Sequence, residues 1–141
     1  MKLPLIAISL FLLFLASRGQ AQSSAKLKLR NPDGKKGSLY LAIYNTSETW
    51  MLPEKAFSKS IMYIAAKDTI LDIGPMPDGQ YALAMFLDEN GNGRLDKNFL
   101  GIPREKYGFS GTRQPLFRAP HFDEASIRLT SEQRTVSISL R

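Results

Sequence analysis

The stretch from Asp88 to Asp96, Asp-Glu-Asn-Gly-Asn-Gly-Arg-Leu-Asp, places oxygen-bearing side chains at alternating positions. Asp88, Asn90, Asn92, Gly93 and Asp96 fall at the first, third, fifth, sixth and ninth places of an acidic loop, and the backbone carbonyl of Arg94 falls at the seventh. Ca2+ takes about six to eight oxygens from carboxylates, amides and backbone carbonyls, and alternation turns such groups to one side. The twelfth place is Phe99, where an EF-hand loop needs a bidentate Glu, and the preceding residues read as a strand, so this is not an EF-hand. With only two carboxylates, Asp88 and Asp96, a Ca2+ site here is expected to be weak, on the order of 0.1–1 mM. The same residues also suit a turn without metal. Asn-Gly pairs reverse the chain, Asp side chains accept backbone N–H groups, and Arg94 and Lys97 supply nearby positive charge. Both readings stand at this level.

The residues that follow, Leu100 to Gly111, mix bases, aromatics and glycines. Arg104, Tyr107, Ser110 and Arg113 form a candidate patch for a ligand or partner; the alternative is a folded cover over the sheet edge. Nucleophilic catalysis would need Ser110, His121 and Asp123 within hydrogen-bond reach of one another. His121 is the sole histidine, and no Gly-x-Ser-x-Gly elbow, His-Glu-x-x-His or phosphate loop is present. The expectation is a non-catalytic protein. Its rivals are a small hydrolase using His121 and a transthyretin-like binder of small ligands.

These residues must be positioned by strands. Ala25–Arg30 alternates, with Leu27 and Leu29 opposite Lys26, Lys28 and Arg30. Asn31-Pro-Asp-Gly34 is turn chemistry, and Ser38–Asn45 alternates again, so these two strands are expected to form a hairpin. Trp50 lies in an irregular link and is expected to plug one end of the core. Strands are expected within Phe57–Ala65 and Thr69–Gly74, and in Gln80–Asp88, whose apolar residues occupy both faces as in a central strand. Ala125–Thr130 and Thr135–Leu140 alternate once more. About seven short strands and no helix predict an all-β fold: a two-layer antiparallel β-sandwich, immunoglobulin-like or transthyretin-like, with one long loop from Asp88 to about Phe122.

The first residues belong to a different category. Lys2 precedes an apolar run from Leu3 to Leu15, and Gly19-Gln20-Ala21 supplies small residues at the positions a signal peptidase reads. This predicts a cleaved signal peptide over residues 1–21, a single domain over residues 22–141, and a periplasmic or secreted location with no stable membrane span afterwards. Removing Lys2 and Arg18 from the 19 bases leaves 17 against 13 acids, a net charge of +4. That excess is scattered and shows no basic stripe with interleaved aromatics, which argues against nucleic acid. The expected partner is an envelope or extracellular protein or a glycan. With no cysteine, the domain cannot use disulfides.

Pro77–Ser110 carries a longer pattern: Gly79-x-Tyr81-Ala82, an apolar strand, Asp88-x-Asn90-x-Asn92-Gly93-x-Leu95-Asp96, then Gly101-Ile102-Pro103-x-Glu105-x-Tyr107-Gly108-Phe109-Ser110. It resembles the core motif of the bacterial exported proteins grouped as domain of unknown function 2141. Gly37–Asn45 and Phe122–Leu129 fit that resemblance as well. Gly111 departs from it, standing where Asn is common. The resemblance implies an exported single-domain β-sandwich and brings no activity, ligand or catalytic residue.

Overall fold

The computed structural model describes residues 23–141, so the signal segment lies outside the described residues. Eight strands form two sheets: β1 (Ser24–Arg30), β2 (Gly37–Tyr44), β3 (Ser58–Ile64), β4 (Asp68–Pro75), β5 (Gly79–Asp88), β6 (Tyr107–Phe109), β7 (Ser126–Leu129) and β8 (Thr135–Ser139). One sheet has the order β4-β1-β8 and the other β3-β2-β5-β6, with β7 sharing the β5 edge with β6. Together they make the expected β-sandwich. Leu27 and Leu29 from β1, Leu39, Leu41 and Ile43 from β2, and Leu83, Met85 and Leu87 from β5 meet Val136 and Ile138 of β8 in the main core. The alternating residues of β1 and β8 put bases and serines on the solvent side, as period-two patterning requires.

Several local expectations give way to longer-range pairing. β1 and β2 are not a hairpin: β1 pairs with β4 and β8, whereas β2 pairs with β3 and β5. The Asn31–Lys36 turn instead carries the chain from one sheet to the other. Asn31 is fully buried there, and its side-chain amide donates to the carbonyls of Lys35 and Ala66. Both strands still face one core, which is why alternation alone could not separate an arch from a hairpin. The β1–β8 pair is parallel, so the sandwich is antiparallel except at that seam. The long connection after β5 contains a short strand, β6, which raises the count to eight.

The outer face of the five-stranded sheet carries a second, smaller cluster. Tyr44, Ala82, Phe122 and Ala125 are buried there, with Trp50 packed against them. Trp50 thus covers this outer face and does not plug the sandwich end. Its indole N–H donates to the Pro120 carbonyl at 2.9 Å, and its ring meets Tyr44 edge-on. A one-turn helix, α1 (Phe122–Ala125), supplies Phe122 and Ala125 to this cluster, where the sequence pattern predicts no helix.

Ser110 ties this cover to the sheet. Its hydroxyl accepts the Leu83 N–H at 2.7 Å and donates to the Ala125 carbonyl. Gly111 follows with φ +83°, a conformation that side chains disfavour. A Cβ added there would stand 2.1 Å from the Glu124 carbonyl oxygen. Asn tolerates positive φ but carries that same Cβ. The glycine therefore matches a close backbone approach in this chain. Gly111→Asn is expected to lower unfolding free energy by at least about 2 kcal/mol in a urea titration, with loss of Trp50 packing seen by fluorescence. An unchanged midpoint would show that the approach can relax freely.

Candidate functional site

β5 delivers the candidate loop. Tyr81, Leu83, Met85 and Leu87 point into the main core, so Asp88 arrives at the strand's end only 2% exposed. Its two oxygens are aimed at the backbone of its own loop. Oδ1 accepts the N–H groups of Gly91 at 2.7 Å and Asn92 at 3.2 Å, and Oδ2 accepts that of Gly93 at 2.8 Å. Burial by itself raises the carboxyl pKa. The N–H donors of Gly93, Gly91, Asn92 and Asn90 together outweigh it and hold Asp88 below its ordinary value. Gly91 and Gly93 both adopt positive φ, +77° and +74°, which lets successive N–H groups turn inward towards one carboxylate.

The other predicted metal-ligand side chains gather on the outside of the loop. The amides of Asn90 and Asn92 both donate to the Asp96 carboxylate, at 2.5 Å and 2.9 Å. The Asn90 Oδ1 accepts the Asn92 N–H at 3.1 Å, and the Asn92 Oδ1 accepts the Arg94 N–H at 2.8 Å. The five expected positions are therefore split. Asp88 organises the loop from inside, while Asn90, Asn92 and Asp96 converge at its surface and Arg94 stays exposed. Among the described residues, no group of three or more His, Asp or Glu side chains is arranged to hold a metal ion.

Glu105 is the residue whose role spacing did not reveal. It is 7% exposed, and its two oxygens accept the N–H groups of Glu89 at 3.0 Å and Asp96 at 3.0 Å. It clasps the two ends of the acidic loop. Beyond it, Arg104 N–H donates to the Asp96 carbonyl at 2.8 Å and Asn98 N–H to the Ile102 carbonyl at 2.8 Å, making a small hairpin around Lys97–Pro103. The Asn98 Oδ1 accepts the N–H groups of Leu100 and Ile102 and fixes the hairpin's end. The Asn-Phe-Leu-Gly tetrapeptide was the available signal for that turn, since Gly101 takes φ +77°.

The candidate contact residues are dispersed. Arg104 is exposed at the foot of the hairpin, and Arg113 is exposed in the segment after β6. Tyr107 is half-buried on β6, under the guanidinium of Arg141. Ser110 is 0% exposed, with its hydroxyl committed to Leu83 and Ala125, so it is not part of an outward patch. His121 lies exposed just before α1, where Glu124 accepts its backbone N–H at 2.8 Å. A bidentate pair with Arg118, then that N–H, pulls the Glu124 carboxyl down to about 2.

The depressed Asp88 carboxyl fixes the sign of a pH effect. A carboxylate with a lowered folded pKa stabilises the fold above its unfolded value of about 4, and that contribution disappears as pH falls through the lower folded value. Asp88→Asn is therefore expected to be less stable than wild type at neutral pH. The gap should close in acid below about pH 4. Denaturant midpoints measured across that range check this; a pH-independent gap would mean the charge plays no part.

Comparison with known proteins identifies a family. The family model described as "Uncharacterized protein conserved in bacteria (DUF2141)" matches residues 27–137. No curated protein and no solved structure gives a significant match. The matched span runs from β1 through the acidic loop and the Ser110 clasp into β8, and the chain belongs to the DUF2141 family.

Proposed function

We propose that this protein is an exported, non-catalytic β-sandwich module whose β5–β6 connection presents a stiffened surface loop to a binding partner. The observation that carries this reading is the commitment of two buried carboxylates, Asp88 and Glu105, to backbone N–H groups of an exposed loop. Single acids of this kind hold ordinary turns; here two buried carboxylates hold one exposed loop, and such rigidity lowers the ordering cost of recognition. The commitment of the Ser110 hydroxyl inside the fold, together with the exposed position of His121, supports the non-catalytic assignment. Export is supported by the Lys2–Ala21 pattern, and a mature protein beginning at Gln22 outside the cytoplasm checks it.

A second reading, weak Ca2+ binding, is favoured by the convergence of Asn90, Asn92 and Asp96 at the loop surface. Rotating the two amides would turn their oxygens beside the Asp96 carboxylate, the donor chemistry Ca2+ takes. Arg94 would contribute its backbone carbonyl. Asp88 would keep the loop shaped.

Amide hydrogen exchange on the mature protein tests both. In the presentation reading, the Gly91, Gly93, Asp96 and Ile102 amides are protected although the loop is exposed. Asp88→Ala releases Gly91 and Gly93 while the Leu41 amide in β2 stays protected. Unprotected loop amides in wild type would remove that reading. In the Ca2+ reading, about 5 mM ion raises the melting temperature by roughly 4 °C in wild type and leaves Asp96→Ala unmoved. No shift in wild type would remove the metal.

A further inference from the structure

The Lys97–Pro103 hairpin carries three adjacent apolar side chains turned away from the protein. Phe99 is 94% exposed, Leu100 68% and Ile102 55%. Their exposure is held in place. Asn98 closes the turn through its backbone and side chain, and Glu105 grips the hairpin's foot at Asp96. Burying an apolar side chain is favourable, so a rigid element that keeps three of them in water has a use for them there.

The hairpin itself, from Lys97 to Arg104, carries two bases and no acid. Arg94, Lys97 and Arg104 are exposed and make no ion pair among the described residues. The acids behind it keep their charge but are turned to the loop's own groups: Asp88 and Glu105 are buried against backbone N–H groups, Asp96 meets the two asparagine amides, and Glu89 pairs with Lys35 at 3.2 Å. The tip is a protrusion, which seats its side chains by entering a surface. An apolar hairpin tip flanked by exposed bases matches the boundary of an anionic bilayer, where the side chains enter the acyl layer and the bases stay among the headgroups.

We propose that the Phe99-Leu100-Ile102 tip inserts into the interface of an anionic lipid bilayer, with Arg94, Lys97 and Arg104 contacting its headgroups. This names the partner of the presentation loop and rests on that reading. The attachment is peripheral and reversible, since a single short tip buries far less apolar surface than a spanning segment.

Vesicle co-sedimentation of the mature protein tests it, using phosphatidylglycerol–phosphatidylcholine vesicles against phosphatidylcholine alone. Wild type should pellet with the anionic vesicles and at least about tenfold less with the neutral ones, with binding falling as salt rises. The double variants Phe99→Ser/Leu100→Ser and Lys97→Gln/Arg104→Gln should each lose about tenfold in affinity, and since all four side chains are exposed, their melting temperatures should stay near that of wild type. A Leu100→Trp variant should shift its emission to the blue on binding, beyond any change from Trp50. No pelleting of wild type with anionic vesicles overturns the inference. So does binding that survives Phe99→Ser/Leu100→Ser, which would assign it to scattered net charge. Either result with protected loop amides leaves the presentation loop standing and points to a protein or glycan as its partner. Unprotected loop amides remove the loop reading whatever the vesicles do.

Discussion

A strand with apolar side chains on both faces has to be covered twice, and β5 is covered by different means on each side. Its inward residues, Leu83, Met85 and Leu87, pack against the three-stranded sheet. Its outward residues include Ala82, which is small enough for a thin cover built from Trp50, Phe122 and Ala125. That second cover comes from segments distant in sequence, so it needs fastening. Ser110 fastens it by joining the Leu83 N–H of the sheet to the Ala125 carbonyl of the cover. The close approach at Gly111 lies directly beside that fastening. A strand buried this completely must also leave the core abruptly, and Asp88 marks that exit.

The exit is where the electrostatics become informative. A carboxylate this little exposed needs compensation for lost hydration. Asp88 obtains it from three backbone N–H groups at 2.7–3.2 Å, and among the described residues it forms no ion pair. Backbone donors cost nothing in side-chain entropy, but they are available only if the loop curls around the acid. The acid and the loop therefore shape each other, and Gly91 and Gly93 are the positions that allow the curl. Glu105 repeats the solution one layer further out, joining Glu89 to Asp96. The contrast with Asp72 shows how different this is from an ordinary surface acid. Asp72 is lowered to about 2 first by Lys26 and then by the Gly74 N–H and Ser24, but it lies exposed and screened by water.

How much of this the residues announced depends on the range of the interaction. Strands β1, β2, β5 and β8 were readable because alternation is a local property of a half-buried strand, and Ala82 and Leu83 marked β5 as two-sided. The Asn31 turn misled because an arch and a hairpin use the same turn residues and the same inward faces. The parallel β1–β8 pair was unreadable because its partners, such as Leu27 and Val136, are joined through almost the whole described chain. At the site, Asp88 and the glycines announced a loop organised by an acid. Ser110 looked like a surface hydroxyl because its burial depends on α1 arriving from later in the chain. The exposed Phe99 and Leu100 were hidden by the ordinary expectation that such residues lie inside.

A chain without cysteine has to hold such a loop by contacts that exist only in the folded state. Disulfides constrain the unfolded chain as well, so they persist when packing fails. Here the ties are hydrogen-bonded. Arg134 reaches Asp78 and the carbonyls of Ser23 and Met76, and the backbone groups of Arg141 pair with those of Tyr107. Each works only once the two sheets have closed, which couples the stiffness of the β5–β6 loop to the integrity of the whole sandwich. Tyr107 directly follows Lys106, whose carbonyl accepts the Leu87 N–H, and Glu105 is the next residue back. The end of β8 is thus connected through one short strand to the clasp that orients the hairpin. A disturbance at the β6–β8 seam would reach the loop through that strand, whereas one at the exposed tip would have no packed route back.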